Sequence, residues 1–420
     1  MRGISGSAPA ASRRAVRPPL GAPEVFLVAG TRPEAVKLAP VALALSAGGR
    51  LRPTIVASGQ HPDMVGQALD AFGLRPDVSL SISRNSGTQA ELCARIITRL
   101  DGVLAERNPA AVLVQGDTTT ALAGALSAFW RRVPVVHLEA GLRSFDLTAP
   151  FPEEANRRLI GQVCALHLAP TPGAVANLAA EGITGGKVLA IGNTVVDAVL
   201  DVAHRRHPYR DDRLIPIEYA ARTGLRRVLV VTAHRRESWG EPLERILDAV
   251  QALVDTHPDI EVVLPAHPNP RVRRQVDEAL GHLRRVTVTE PLPYPDMARL
   301  LSVATLVLSD SGGIQEEAPT FGVPVLVLRE VTERMEAVEA GCARLVGTDT
   351  GLILAEANRL LADGSARAAM SGRGNPFGDG RSAVRVEQAL ARLLGLSDEL
   401  VEQFESPVHA DRRTGSLDAA

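Results

Sequence analysis

Short runs of continuous Val, Leu, Ile and Ala alternate in this chain with longer segments whose apolar residues recur every three or four positions. The short runs predict strands buried on both faces of a parallel sheet, and the longer segments predict amphipathic helices. In the first half of the chain we expect helices at 35–47, 64–72, 90–107 and 119–131, and strands at 25–29, 52–57, 111–115, 133–138, 165–169 and 187–191. This order is typical of a doubly wound α/β domain.

The alternation breaks at 201–224, where the segment after His204 is polar and lacks a clear strand. It then restarts, with strands predicted at 227–232, 260–264, 285–288, 305–309 and 324–328 and a last helix at 383–394. We therefore predict two Rossmann-like domains, 23–200 and 201–382, facing a central cleft of the kind that binds ligands. The polar ends, 1–22 and 397–420, are predicted to be a disordered extension and a disordered tail.

The composition argues against several kinds of partner and covalent framework. The net charge of −2 gives no reason to expect a nucleic acid or an anionic membrane as partner, and no apolar run reaches the length of a membrane span. The three cysteines, Cys93, Cys164 and Cys342, lie far apart in the sequence, which argues against a disulfide or metal framework of cysteines. Thiols in apolar stretches fit a cytoplasmic protein.

The most informative segment is 137–157, which follows the predicted buried strand at 133–138. It combines acidic and basic residues at a strand end, where α/β folds bind ligands; they are Glu139, Arg143, Asp146, Glu153, Glu154 and Arg157, with Arg158 directly after the segment. A solvated charged loop would have the same composition. Two further charged strand ends favour proton transfer on a phosphorylated substrate instead.

One of these strand ends is 30–37, where Gly30 permits a tight turn and Pro33 suits the first turn of a helix. Arg32 and Lys37 bracket the start of this helix, which favours an anion site. The sequence has only two lysines, so a lysine in such a motif is expected to be there for its compact charge. Asp117 follows the strand predicted at 111–115. It is either a helix cap or another carboxylate of the same site.

The second domain carries the predicted phosphate site. His234 precedes two arginines at a strand end, and His267 follows another strand as a weaker candidate. The turn Ser311-Gly312-Gly313 opens a helix after a strand, so its amides can hold a pyrophosphate, with Glu317 one helical turn further. Arg334 follows the next strand and could add a phosphate contact.

Several ordered blocks of this sequence resemble the bacterial non-hydrolysing UDP-N-acetylglucosamine 2-epimerases, over about residues 25–394. The blocks are GTRPEAVKLAP, QGDTTT, HLEAGLRS, PFPEEANRR, IGNTVVDA, HRRES, SDSGGIQEEAP and TERMEAV. The resemblance implies a GT-B-like fold whose last helix, 383–396, crosses back to the first domain. It also implies a homodimer and the interconversion of UDP-GlcNAc and UDP-ManNAc by elimination and re-addition of UDP, with no metal or redox cofactor.

The resemblance carries over to individual positions. Asp117, Glu139 and Glu153 match the family's catalytic carboxylates, and the resemblance does not say which is the acid and which is the base. His234 is also expected to be a catalytic residue. Glu317 matches its ribose ligand, and Leu292 and Met297 stand in its uracil-facing stretch. Substrate contacts are further expected from Arg32, Lys37, Arg143, Arg157, Ser311, Gly312, Gly313 and Arg334.

The chain departs from the family's pattern in several places. Phe145 and Thr148 stand in the sugar-facing loop where Gly and Tyr are usual, which leaves open a 2-epimerase for a modified UDP-sugar such as a UDP-diacetamido uronic acid. Pro62 and Asp63 depart from the segment that binds an activating nucleotide sugar in some members, and Met335 replaces the usual Pro. The sequence also leaves open a hydrolysing epimerase, a GT-B glycosyltransferase and a nucleotide-sugar sensor.

Overall fold

The computed structural model describes residues 21–83 and 85–407. The first sheet has seven parallel strands in the order β3-β2-β1-β4-β5-β6-β7. They are β1 (Glu24–Ala29), β2 (Arg52–Ala57), β3 (Val78–Ser79), β4 (Ala111–Gln115), β5 (Val135–Leu138), β6 (Leu166–Ala169) and β7 (Val188–Ala190). β1, β4, β5 and β6 are buried throughout because helices cover both faces of the sheet.

Seven helices surround this sheet: α1 (Arg32–Gly48), α2 (Pro62–Asp70), α3 (Gln89–Arg107), α4 (Thr119–Trp130), α5 (Glu153–Val163), α6 (Pro172–Ala180) and α7 (Thr194–Arg205). Hydroxyl or amide side chains cap several of their first turns. The side chains of Thr118 and Asn193, for example, accept hydrogen bonds from the amides of Ala121 and Val195. These caps fix where α4 and α7 begin, and therefore the shape of the loops at the carboxyl edge of the sheet.

The second sheet has six parallel strands in the order β10-β9-β8-β11-β12-β13. They are β8 (Arg227–Thr232), β9 (Ile260–Pro265), β10 (Val286–Thr289), β11 (Ala304–Ser309), β12 (Val325–Val327) and β13 (Ala343–Leu345). Its helices are α8 (Leu214–Arg222), α9 (Glu241–Thr256), α10 (Pro270–Leu280), α11 (Tyr294–Leu301), α12 (Gly312–Glu317), α13 (Met335–Glu339), α14 (Thr350–Ala362) and α15 (Gly364–Ser371).

Both sheets reverse their strand order at one point, between β1 and β4 in the first and between β8 and β11 in the second. Ligands of open α/β sheets bind outside the carboxyl ends of the strands at such a point. The predicted class of two Rossmann-like α/β domains is confirmed. Every predicted strand overlaps an observed one, whereas the sequence analysis missed the short edge strands β3 and β13.

The last helix, α16 (Ser382–Leu393), returns to the first domain and packs against α1 and α7, as expected. Its first turn is held by Asp197 of α7, whose Oδ1 accepts a hydrogen bond of 2.8 Å from the amide of Ala383. On its other side Arg50 and Glu387 form an ion pair with an Nη2–Oε2 distance of 2.6 Å. The helix therefore ties the end of the chain to the first domain.

The expectation of a disordered tail from residue 397 is wrong for part of the described segment. The amide of Phe404 donates to the carbonyl of Ala190 at 2.8 Å, and the side chain of Gln403 accepts from the amide of Ala190 at 3.1 Å. Phe404 is only 5% exposed, so this segment covers the edge strand β7. The rest of the predicted tail, 408–420, and most of the predicted N-terminal extension, 1–20, lie outside the described residues.

None of the helices in the described part of the chain is long and apolar enough to cross a membrane.

Candidate active site

Glu139 lies directly after β5 and has a left-handed backbone, with φ of 63°. Its carboxylate accepts two hydrogen bonds from Lys37 Nζ, at 2.7 and 2.8 Å, one from Gln115 Nε2 and one from Asn193 Nδ2 at 3.3 Å. Only 8% of the Glu139 side chain is exposed. A left-handed conformation is uncommon for a residue with a side chain, and here it accompanies a carboxylate held by donors from three other segments.

Asp117 lies beside it, in the turn after β4. Its carboxylate pairs with Arg157 of α5, and its backbone carbonyl accepts a hydrogen bond of 2.8 Å from Asn156 Nδ2. A Cβ atom added to the neighbouring Gly116 would lie 4.0 Å from Glu139 Oε2, so the two carboxylate-bearing turns are adjacent. The structure therefore brings Asp117 and Glu139 to neighbouring turns at the same edge of the sheet.

Glu153 is the first residue of α5 and is partly buried. Its neighbour Glu154 has a structural position: it is buried and accepts hydrogen bonds from the amides of Ser144 and Phe145, at 2.9 and 3.3 Å. Although burial opposes ionisation, the hydrogen bonds from Ser144 and Arg158 hold the pKa of Glu154 below its ordinary value. Glu154 therefore fixes the loop that precedes α5.

Arg143, predicted to contact substrate, does not line the cavity described below. Its side chain is fully buried, and its guanidinium forms a two-pronged ion pair with Glu181, at 2.6 and 2.7 Å. The remaining nitrogen donates to the carbonyl of Leu142 at 2.7 Å. Because all three nitrogens are used within the first domain, the structure assigns Arg143 a structural role instead of substrate binding.

The predicted phosphate turn, residues 311–313, follows β11 and includes the first residues of α12. The Ser311 amide donates to Ser309 Oγ at 3.0 Å, so it is not one of the open donors that the sequence analysis expected. The amides of Gly312 and Gly313 lie in the first turn of α12, where no preceding helical carbonyl is available to them. Arg334 lies over this turn, since a Cβ atom added to Gly312 would be 3.7 Å from its Cζ.

His234 is oriented by Asp310, which is fully buried. The His234 Nδ1–Asp310 Oδ1 distance is 3.0 Å, and Asp310 Oδ2 accepts hydrogen bonds from the amides of His234 and Arg235, each 2.9 Å long. Nδ1 of the imidazole thus faces a buried carboxylate, which leaves Nε2 as the nitrogen able to act on a ligand. The sequence analysis did not single out Asp310, although the motif that contains it follows β11.

Glu316 is a second residue that the sequence analysis missed. It is buried, and its carboxylate lies 2.6 Å from Arg334 Nε and 3.8 Å from Lys37 Nζ. Although burial opposes ionisation, Lys37 and Arg334 hold its pKa below the ordinary value. Glu316 thus joins the cation of the first domain to the cation of the phosphate turn.

The pKa of Glu317 is shifted in the opposite direction from that of Glu316. It is 8% exposed, and burial together with the neighbouring Glu316 raises its pKa to about 8. The group is therefore protonated at neutral pH in the absence of ligand. A polar ligand group that donates hydrogen bonds, such as a pair of hydroxyls, would favour its ionised form.

A cavity of about 540 Å³ lies between the start of α1 and the carboxyl edge of the second sheet. Most of the predicted substrate contacts line it: Arg32, Lys37, His234, Leu292, Met297, Ser311, Gly313, Glu317 and Arg334. His267, the weaker candidate, also lines it, together with Glu316 and Tyr294, which were not predicted. Glu139 is connected to this cavity through its ion pair with Lys37, whereas Asp117 pairs with Arg157 instead. The residues that line the cavity do not include Asp117, Glu139, Glu153, Arg157 or Gly312.

The fold and this site define a class: an α/β protein of the GT-B-like kind, with a cluster of buried carboxylates and cations beside a cavity at the edge of its second sheet. The family model for UDP-N-acetylglucosamine 2-epimerase matches residues 43–391, and the chain belongs to this family. It is 44% identical to the UDP-N-acetylglucosamine 2-epimerase of Escherichia coli K12 over 370 residues, which covers 87% of this chain and 98% of the relative. The predicted family is confirmed.

Solved structures of UDP-GlcNAc 2-epimerases have the same fold as this chain. One from Listeria monocytogenes, described as a putative UDP-N-acetylglucosamine 2-epimerase, superposes with a TM-score of 0.84 at 38% identity and covers 91% of this chain and 99% of its own. The UDP-GlcNAc 2-epimerase of Neisseria meningitidis bound to UDP-GlcNAc superposes with a TM-score of 0.75 at 38% identity, over 88% of this chain and 100% of its own.

Proposed function

We propose that this chain is a non-hydrolysing UDP-GlcNAc 2-epimerase, which interconverts UDP-GlcNAc and UDP-ManNAc. The observation that carries the proposal is the chain of ion pairs from Glu139 through Lys37 and Glu316 to Arg334, with the Asp117–Arg157 pair in the adjacent turn. In this arrangement the carboxylates proposed to transfer protons lie next to the cations proposed to bind a diphosphate. The relatives' names and the bound UDP-GlcNAc in the Neisseria structure support the same substrate.

The proposed reaction needs both the carboxylates and the cations of this site. The proton on C2 of the sugar is not acidic, so its removal must be coupled to departure of the diphosphate. In the proposed first step a carboxylate takes the C2 proton, the C–H electrons form the C1–C2 double bond, and the bond from C1 to the UDP oxygen breaks. UDP and 2-acetamidoglucal result. In the second step UDP adds back to C1 while a proton reaches C2 from the opposite face.

The proposed residue roles follow from position. Arg334, His234 and the amides of Gly312 and Gly313 stabilise the charge that develops on the departing UDP. Asp117, Glu139 and Glu153 share the proton transfers, and Arg157 holds the Asp117 carboxylate. In the second domain Glu317 accepts hydrogen bonds from the ribose hydroxyls, while Leu292 and Met297 contact the uracil.

The test is incubation of the purified protein with UDP-GlcNAc in D₂O, followed by proton NMR. UDP-ManNAc with deuterium at C2 is the expected result. Free ManNAc would instead indicate a hydrolysing epimerase. No change with either UDP-GlcNAc or UDP-ManNAc would contradict the proposed substrate and leave a modified sugar, a glycosyltransferase acceptor or simple binding to be tested next.

We also propose a cytoplasmic homodimer. The described cysteines are free thiols, as expected in a reducing compartment. Large apolar side chains are exposed on α4 and α5, two helices that pack on each other: Phe129 at 50%, Trp130 at 62% and Leu159 at 54%. Exposed apolar residues grouped in this way favour a protein interface.

The dimer is tested by sedimentation equilibrium of the wild type and of Trp130→Glu, with Leu225→Glu as the control. Leu225 is equally accessible, at 67%, but belongs to the second domain. Dissociation by Trp130→Glu alone supports the proposed face, and a wild-type monomer contradicts the dimer.

A further inference from the structure

Two histidines and a cysteine meet inside the first domain, beneath the turns that carry Asp117 and Glu139. His137 of β5 and His167 of β6 are direct partners in the parallel register, so their side chains project from the same face of the sheet. Cys164 immediately follows α5 and precedes β6. One possible ligand atom from each residue lies within 4.8 Å of the other two.

The hydrogen bonds around His137 fix its tautomer. His137 Nε2 lies 2.8 Å from the carbonyl oxygen of Gly116, which can only accept, so Nε2 carries the proton and Nδ1 has a free lone pair. His137 Nδ1 is buried without a hydrogen-bond partner, and so is His167 Nδ1. Both histidines are only 1% exposed, so these two nitrogens are unsatisfied polar atoms in a closed site. Such atoms are rare in proteins and call for a specific explanation.

We propose that His137, Cys164 and His167 form a binding site for a thiophilic cation, with Zn²⁺ as the expected ion. Two imidazoles and one thiolate are ligands that Zn²⁺ takes readily, and the group has none of the clustered oxygens that Mg²⁺ or Ca²⁺ require. The bond from His137 to a backbone carbonyl is the support that metal-binding histidines usually have. Bonds of about 2.0–2.3 Å to Zn²⁺ bring ligand atoms closer together than 4.8 Å, so the three side chains must draw together when the ion binds.

Metal binding must change the protonation of the cysteine. The Cys164 thiol donates a hydrogen bond of 3.1 Å to the carbonyl of Ile160, and burial raises its pKa. The ion must therefore displace this proton to solvent against the effect of burial, after which the thiolate offsets one of the two charges of the ion.

The surrounding charges permit a cation. Arg143 and Arg157 lie close enough to act on His137, but each is paired with carboxylates, Arg143 with Glu181 and Arg157 with Asp117 and Glu154. These arginines are therefore already balanced. Lys187 also acts on His167, but it is exposed to solvent, and the Cys164 thiolate remains to offset the charge of the ion.

The position of the site suggests a structural role. The ion would join β5 to β6 and to the end of α5, while His137 holds the carbonyl of Gly116, the residue before Asp117. Two residues after His137 the chain reaches Glu139. Metal binding here is expected to stiffen the turns that carry both carboxylates, without contact with the substrate.

The test uses the full chain without an affinity tag, treated with chelator and then dialysed against Zn²⁺. We expect about one Zn²⁺ per chain by elemental mass spectrometry and a higher melting temperature. Co²⁺ in place of Zn²⁺ should give the near-ultraviolet charge-transfer band of a thiolate ligand. Cys164→Ala should lose both signals, whereas Cys93→Ala should keep them. Cys93 is the matched control because it is also a partly buried free cysteine packed against the same apolar cluster.

Failure of the wild type to bind Zn²⁺ stoichiometrically would overturn the site, as would equal binding by Cys164→Ala. If Cys164→Ala does not fold, alkylation of the wild type gives the answer, because Zn²⁺ must slow modification of Cys164 but not of Cys93. Equal rates with and without Zn²⁺ would contradict the proposal. These measurements need no turnover, so they are independent of the proposed epimerase activity.

Discussion

At the scale of single residues, the site separates neighbouring carboxylates by their surroundings. Glu316 and Glu317 are adjacent in α12 and both buried, yet the pKa of Glu316 is lowered by Lys37 and Arg334 while that of Glu317 is raised. The difference arises because the cations neutralise Glu316, and the charge of Glu316 then adds to the effect of burial on Glu317. One residue is suited to hold cations in place and the other to accept a ligand that donates hydrogen bonds.

Glu317 should make stability depend on pH. Its pKa rises from an ordinary value of 4.5 to about 8 on folding, so the folded protein keeps a proton that the unfolded chain releases. The group stabilises the fold below its ordinary pKa, and this contribution is lost as the pH rises toward 8. Between pH 5 and pH 8 the free energy of unfolding of the wild type should therefore fall relative to Glu317→Gln, by on the order of 3 kcal/mol.

Urea denaturation of both proteins at the two pH values measures this difference. Glu278→Gln, which alters an exposed carboxylate on α10, is the control and should follow the wild type at both pH values. Parallel pH dependence of Glu317→Gln and wild type would contradict the assignment.

Glu139→Gln should abolish proton transfer and leave nucleotide binding in place. The amide keeps the size of the side chain but cannot take a proton, which costs roughly 10²–10⁴-fold in turnover for a general acid or base. Glu181→Gln is the matched control, because Glu181 is also a carboxylate of the first domain in a two-pronged contact with a cation.

Deuterium exchange at C2 measures turnover, and calorimetry with UDP measures binding. Glu181→Gln should keep turnover near that of the wild type and lose stability, since Arg143 would be left buried beside a neutral partner. A loss of turnover in Glu181→Gln as large as that in Glu139→Gln would restore Arg143 to the candidate site.

At the scale of elements, the sequence predicts what depends on local pattern and misses what depends on packing. Continuous apolar runs located the central strands, and strand ends located Asp117, Glu139 and the phosphate turn. β3 and β13 were not predicted because strands of two and three residues are too short to show a recognisable run of apolar residues. Arg143 was misassigned because its partner, Glu181, is supplied by a distant turn after α6, and Glu316 was missed because its two cations come from other segments.

The attachment of α16 is an element-scale feature that can be tested. Asp197 of α7 accepts hydrogen bonds from the amides of Ser382 and Ala383, at 3.3 and 2.8 Å, and so caps α16 from outside. Asp197→Ala should lower the free energy of unfolding by about 1–2 kcal/mol, as loss of a helix cap does. Asp201→Ala, one turn further along α7, removes only a half-exposed pair with Arg205 and should cost less than about 0.5 kcal/mol. Chemical denaturation near neutral pH compares them, and equal losses would argue against the cap.

At the scale of the whole molecule, ion pairs between buried charged side chains link the two domains. Lys37 belongs to α1 of the first domain, and its Nζ lies between Glu139 of the same domain and Glu316 of the second, at 2.7 and 3.8 Å. Although burial opposes the charge, Glu139 and Glu316 hold the pKa of Lys37 above its ordinary value. The relative placement of Glu139 in the first domain and Glu316 in the second therefore depends on one compact cation.

Lys37→Arg tests this dependence with the charge conserved. Only 12% of the Lys37 side chain is exposed, and a planar guanidinium needs more space than an ammonium, so it must displace Glu139 or Glu316. Turnover should fall by at least about tenfold, the effect of a barrier increase near 1.4 kcal/mol. Lys187→Arg is the natural control, since Lys187 is exposed and is the other lysine of the sequence. If turnover with Lys37→Arg equals that of the wild type, charge alone suffices at this position, and the spacing between the domains is set by other contacts such as those of α16.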